Sequence, residues 1–186
     1  MERRQAEMKT WELRFAKFDF ATPKLALLAA ILAWLAATPA GAVERGVLPM
    51  ARDFTKVARD AAARRAAILV LFSSAGCHYC AQVRDGFLIP TTRNADYDDK
   101  VVMVEIDAGS TQRLVDFDGR VTTHAEFASR YQISMTPTIK FLDTRGREVA
   151  LPLVGIANPD FYGGPLDEAI HAAQARVRGE ARTAAN

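Results

Sequence analysis

Residues 66–83 read AAILVLFSSAGCHYCAQV. The first eight are a continuous apolar run rich in branched side chains, the mark of a short strand buried on both faces. Ser74-Ala75-Gly76 breaks the run. A helix then starts at Cys77, carries Cys80, Val83 and Phe87 inward, and is expected to stop before Pro90, which lacks an N–H and crowds the preceding turn. Cys77 and Cys80 are the only two cysteines in the 186 residues. Their spacing alone leaves three uses open: a redox pair, half of a metal site, or a structural staple.

A staple is poorly motivated. A bond between residues three apart closes a tiny loop and restrains little unfolded-chain entropy. Placement between a buried strand and a helix has a direct chemical use instead. Unpaired N–H groups of the first helical turn favour a thiolate at Cys77. Such sites lower a thiol pKa from about 8.5 to between ~3.5 and ~7.5. Cys80 lies one turn along the same face, within reach of the first sulfur. Cys77 can attack a disulfide in a substrate, and Cys80 can resolve the mixed disulfide that forms.

Outward from this unit, Met50, Phe54, Val57 and Ala61 recur on one face and predict a helix over residues 50–65. Residues 91–100 are polar and read as a loop, and residues 101–107 (VVMVEID) as a second buried strand. Residues 108–121, with Phe117-Asp118-Gly119, read as an irregular insertion. Thr123 and Glu126 then form a T-x-x-E capping box that opens a helix burying Phe127 and Tyr131. A strand over residues 138–142, a turn at residues 143–146 and a partner strand over residues 147–151 or slightly longer make a hairpin. A last helix has Pro165 near its start and a stripe of Leu166, Ala169, Ile170, Ala173 and Val177. Phe54, Phe72, Phe87, Phe127 and Phe141 fall at core-facing positions. The order of elements predicts an α/β domain: a central mixed sheet of four to five strands with helices on both faces.

The N-terminal segment is of another kind. Residues 25–37 (LALLAAILAWLAA) are thirteen apolar residues, short of the about 20 that span a bilayer. They match the roughly 7–15-residue apolar core of a secretory signal. Thr38-Pro39 and the small-x-small Ala40-Gly41-Ala42 follow, so residues 1–42 read as a signal peptide cleaved after Ala42. An uncleaved anchor is the alternative. The domain then spans residues 43–178, and residues 179–186 form a flexible tail. Of 24 basic and 22 acidic residues in the chain, six and four lie in residues 1–24, leaving 18 of each in the exported part. A formally neutral domain without a basic face gives nucleic acid nothing to bind.

The C-x-x-C unit, the element order and Met135-Thr136-Pro137-Thr138 together resemble the thioredoxin family, over roughly residues 50–177. The resemblance implies a thioredoxin fold with a cis Pro137 beside the cysteine pair. It also implies that Thr136 offers its backbone to a substrate strand. The activity it implies is thiol–disulfide exchange with disulfide-bearing proteins, without a cofactor, by a periplasmic monomer re-reduced by a membrane electron donor. The Phe117-Asp118-Gly119 insertion before the capped helix is similar to exported bacterial proteins of the SoxW type. Tyr79 and Thr136 are similar to the disulfide-isomerase branch of the Dsb proteins. Reduction is the expected direction; oxidation or isomerisation would use the same residues.

The chain departs from cytoplasmic thioredoxins at Gly76, where those have Trp, and at Leu71, where those have a buried acid that serves the second cysteine. Glu105, on the adjacent strand, is a candidate substitute, although its place near a strand end reads as solvent-facing. His78, between the cysteines, is a candidate for tuning the Cys77 thiolate, and Tyr79 a second. His124 and His171 read as surface residues, and Gly155 marks a close backbone approach near the site or a plain strand end. A copper site of Cys77, Cys80 and a histidine is the second reading, although thioredoxin-fold copper proteins space their cysteines one residue wider. No metal is expected.

Overall fold

A computed structural model describes residues 46–184, with side chains through residue 179; the signal peptide read at residues 1–42 lies outside them. In chain order the elements are α1 (Phe54–Arg64), β1 (Ala67–Ser73), α2 (His78–Val83), a π-helical turn (Arg84–Leu88), α3 (Ile89–Arg93), β2 (Val101–Asp107), β3 (Arg113–Val115), β4 (Val121–Thr123), α4 (His124–Arg130), β5 (Thr138–Leu142), β6 (Leu153–Val154) and α5 (Gly163–Ala184). Short 3-10 turns lie at Ala95–Tyr97 and Pro159–Phe161.

The four-stranded sheet runs β2-β1-β5-β6, parallel between β1 and β2 and antiparallel elsewhere. Because successive side chains of a strand point to opposite faces, β1 feeds two cores at once. Leu69 and Leu71 pack with Val83 and Leu88 of the cysteine helix and with Leu166, Ile170 and Ala173 of α5. Ile68, Val70 and Phe72 pack on the other face with Phe54 of α1 and Phe127 of α4. Phe54 and Phe127 stack at 4.4 Å between ring centroids. Each such side chain contributes on the order of 1.5–3 kcal/mol by leaving water. This is the α/β architecture expected, with four strands in the main sheet and a separate β3–β4 hairpin inside the segment read as irregular.

Other departures have local causes. Met50 is not in α1. The backbone of residues 49–51 runs along β2, with Ala51 N–H donating to Glu105 O and Glu105 N–H to Pro49 O, and Asp53 caps α1 by accepting from Thr55 and Lys56 N–H. The cysteine helix does not end before Pro90. Ile89 N–H reaches back to Arg84 O across a π turn. Pro90 therefore occupies the first turn of α3, where an N–H is not required. The return strand read at residues 147–151 forms only in part, as a bridge between Glu148 and Leu142 and a Val149 N–H bond to Phe141 O; the strand proper is Leu153–Val154, beyond Pro152, which has no N–H to donate. The helix α5 begins two residues before Pro165 and its backbone continues to Ala184, through most of the segment read as a tail.

His124 is the clearest correction. It is fully buried, not at the surface. Its Nδ1 accepts from Asp107 N–H at 3.2 Å, and its Nε2 lies 2.9 Å from Ala51 O, to which it must donate. The ring thus needs one proton only, on Nε2. A second proton on Nδ1 would set two donors face to face. Burial pushes the imidazole below its ordinary value of 6.5, against the pull of the Ala51 bond and Asp107. A histidine with a lowered native pKa stabilises the fold fully above the unfolded value and loses that stability as pH falls below it. The urea midpoint is therefore expected to fall between about pH 8 and about pH 5, and this fall is expected to shrink in His124→Gln. Equal pH dependence in the two proteins would contradict the account.

Candidate active site

The end of β1 delivers the chain into a tight turn. Cys77 N–H bonds Ser74 O at 3.2 Å, and Gly76 takes φ +72°, a conformation that side-chain-bearing residues rarely adopt. Cys77 stands at the N-cap of α2, where its sulfur accepts the Cys80 N–H at 3.1 Å. The two cysteines form a disulfide, with Cα atoms 5.2 Å apart. They are not equivalent. Cys77 is half-buried at the rim, whereas Cys80 is only 2% exposed.

Residues far along the chain complete the site. The Thr136–Pro137 bond is cis and lies just before β5. Thr136 Oγ1 donates toward Cys77 Sγ at 3.8 Å and shares a 2.9 Å hydrogen bond with Ser74 Oγ. If Ser74 donates to Thr136, the Thr136 proton is left for the sulfur. The side chain of Thr136 therefore addresses Cys77, and Ser74 orients it. Pro137 O accepts the Gly155 N–H at 2.8 Å, and Gly155 has φ +69°. Gly155 thus sits at a close backbone approach beside the site. His78 and Tyr79 are both exposed, in edge-to-face contact with each other at 5.8 Å between ring centroids. Met135 and Val154, neighbours of this segment in sequence or across the ladder, are exposed as well.

Beneath the disulfide opens a cleft of about 470 Å³, lined among others by Ser73, Cys77, Cys80, Arg84, Glu105 and Asp107. Glu105 does not face solvent: it is 4% exposed. Alternation along β2 explains this. Val101 and Met103 lie in the core layer of the cysteine helix and Val104 and Ile106 in the opposite layer, so Glu105 turns toward the cysteines. Its Cα partner across the ladder is Leu71. Arg84 Nη1 donates to Glu105 Oε1 at 3.4 Å, and Arg84 Nε to Asp85 Oδ1 at 2.9 Å. The Asp85 bond first, and the Glu105 charge after it, raise the guanidinium pKa above its already high ordinary value, against the effect of burial. Sequence reasoning singled out Glu105 but not its burial, and it missed Ser74 and Arg84. The parity of VVMVEID was the available signal for Glu105. Among the described residues no group of three His, Cys, Asp or Glu side chains is placed to hold a metal ion.

The thioredoxin-like domain family matches residues 54–168, well over half of the chain, and the chain belongs to that family. Thioredoxin f from spinach chloroplast has a similar structure: it is 19% identical, the match covers 72% of this chain and 99% of that one, and the TM-score is 0.50. The thioredoxin Mala s 13 of Malassezia sympodialis is 18% identical over 74% of this chain and 99% of that one, with a TM-score of 0.48. A poplar thioredoxin h mutant is 22% identical over 72% and 89%, with a TM-score of 0.46. No curated protein matches the sequence. The fold is the thioredoxin fold, and with the Cys77–Cys80 disulfide it suits thiol–disulfide redox chemistry.

The Thr136 hydroxyl favours the reduced pair, because a thiolate accepts a hydrogen bond more strongly than a disulfide sulfur. Thr136→Val is expected to lower the reduction potential of the pair by about 30 mV, the equivalent of about 1.4 kcal/mol. Ser74→Ala should act in the same direction and less. Equilibration against glutathione measures both, and potentials equal to that of the unmodified protein would remove the hydroxyl from the account.

Proposed function

We propose that this member of the thioredoxin-like domain family is an exported thiol–disulfide oxidoreductase that reduces disulfides in other proteins. The observation that carries the reading is the unequal burial of a bonded cysteine pair at a strand-to-helix junction, with Cys77 at the rim and Cys80 enclosed. A reductant of this design attacks from the accessible sulfur. The Cys77 thiolate adds to one sulfur of a substrate disulfide, and the other leaves as a thiolate. The backbone beside Pro137 holds the substrate chain during the attack. Cys80 then attacks Cys77, which breaks the mixed disulfide, releases the second substrate thiol and leaves the Cys77–Cys80 disulfide. His78 and Tyr79, exposed at the rim, are placed to meet the substrate and to tune the exchange.

Export is supported by the apolar run and small-x-small site within residues 25–42; a monomer in the periplasm, re-reduced by a membrane electron donor, fits that compartment. The Phe117-Asp118-Gly119 insertion and the capped helix α4 favour a relative of the SoxW type. Thr136 and Tyr79 favour kinship with the disulfide isomerases, and isomerase or oxidase action would run through the same atoms.

Cys77→Ser is expected to abolish reduction of a protein disulfide. Cys80→Ala is expected to accumulate mixed disulfides through Cys77 that dithiothreitol releases. A Cys77→Ser protein that still reduces its substrate, or a Cys80→Ala protein that traps nothing, would sink the reading. A potential of the pair near about −270 mV fits a reductase, and one near about −120 mV an oxidase.

A further inference from the structure

The resolving step requires Cys80 to lose its proton, yet Cys80 is only 2% exposed. Cys80 faces the cleft and not the open surface, so a protein group that takes its proton has to stand in the cleft. The charged and titratable groups around that cleft are His78 and Arg84 from the cysteine helix, Asp85 behind Arg84, and Glu105 and Asp107 from β2. His78 is exposed and turned to Tyr79. Arg84 has no lone pair to offer a proton. Asp85 is exposed and bound to Arg84 Nε. Asp107 is half-exposed, and its Oδ1 accepts the Gly109 N–H at 3.1 Å. Glu105 is the nearly enclosed carboxylate that shares the cleft with both cysteines.

We propose that Glu105 accepts the proton of Cys80 as the mixed disulfide is resolved, and that Arg84 is the positioning residue that keeps the Glu105 side chain turned to the cleft. The inference rests on the redox reading above and deepens it. In the step, the Cys80 S–H bond breaks and its proton passes to Glu105. The Cys80 electron pair forms the bond to Cys77 Sγ, and the Cys77–substrate S–S bond breaks with its electrons leaving on the substrate sulfur. The substrate is reduced and the cysteine pair oxidised, with no other reagent. Re-reduction of the pair returns the proton from Glu105 to Cys80. Arg84 is suited to its part because its guanidinium meets Glu105 Oε1 and fixes where that side chain points. It sits one helical turn beyond Cys80 and reaches β2 through the 3.4 Å bond to Oε1.

Single-turnover reaction of the reduced protein with dithiobis(nitrobenzoate) separates the two steps. One nitrothiolate is released when Cys77 attacks and a second when Cys80 resolves. Glu105→Gln is expected to lower the ratio of the second rate to the first by at least about tenfold at neutral pH. The deficit should close as pH rises and hydroxide takes over as base. Glu105→Asp should recover part of the ratio, and Arg84→Gln, which releases the Glu105 side chain, should lower the ratio without abolishing it. If Glu105→Gln does not fold, Glu105→Asp and Arg84→Gln decide. A second-to-first ratio that keeps its unmodified pH profile in the folded variants overturns the proposal. Absence of the first release from the unmodified protein would instead overturn the redox reading itself.

Discussion

Strand β1 pairs Phe72 with Thr138 on one side and Leu71 with Glu105 on the other. Those pairs set how far each neighbouring strand extends relative to the end of β1, and the candidate site is built on that end. On the β5 side the register brings the residues just before Thr138, which are Thr136 and Pro137, level with the turn that carries Cys77. On the β2 side it brings Glu105 and Asp107 under the start of the cysteine helix. A slip of one residue would turn Glu105 to the opposite face and separate the threonine hydroxyl from the sulfur. The register is protected because β1 is buried along its whole length, with both faces committed to apolar layers.

The same geometry makes the two sulfurs chemically different without any difference in residue type. Cys77 stands at the helix start, where the Cys80 N–H and the Thr136 hydroxyl point at it and solvent reaches it. Cys80 lies below, 2% exposed on the wall of the cleft, where an ion without a partner is costly. One cysteine is suited to meet a partner and the other to close the bond behind it. The open cleft with Arg84 and Glu105 beneath them places polar groups where an apolar interior would leave Cys80 without an exchangeable path for its proton.

The parts of the fold that follow from short-range rules were legible in the sequence. The bounds of β2 and β5 were read as observed, because each is an apolar run closed by polar or turn residues. The capping box at Thr123 and Glu126 was legible because both halves of it lie within four residues. What escaped depends on neighbours distant in the chain. His124 looks like a surface residue beside a helix cap, yet Ala51 O and Asp107 N–H, 73 and 17 residues away, supply the two bonds that let it be buried. Pro90 reads as a helix terminator, but a π turn shifts the hydrogen-bond ladder so that the missing N–H falls where none is needed. Ser74 and Arg84 carry no motif. Their roles exist only because Thr136 and Glu105 are brought opposite them by the sheet.

The central claim is that one fold position makes Cys77 the attacking sulfur and Cys80 the protected one. The most direct test is to reduce the protein and treat it at neutral pH with less than one equivalent of iodoacetamide. Peptide mass mapping then shows which sulfur was alkylated. The account predicts that the label falls on Cys77. A label on Cys80 in equal or greater yield would contradict it.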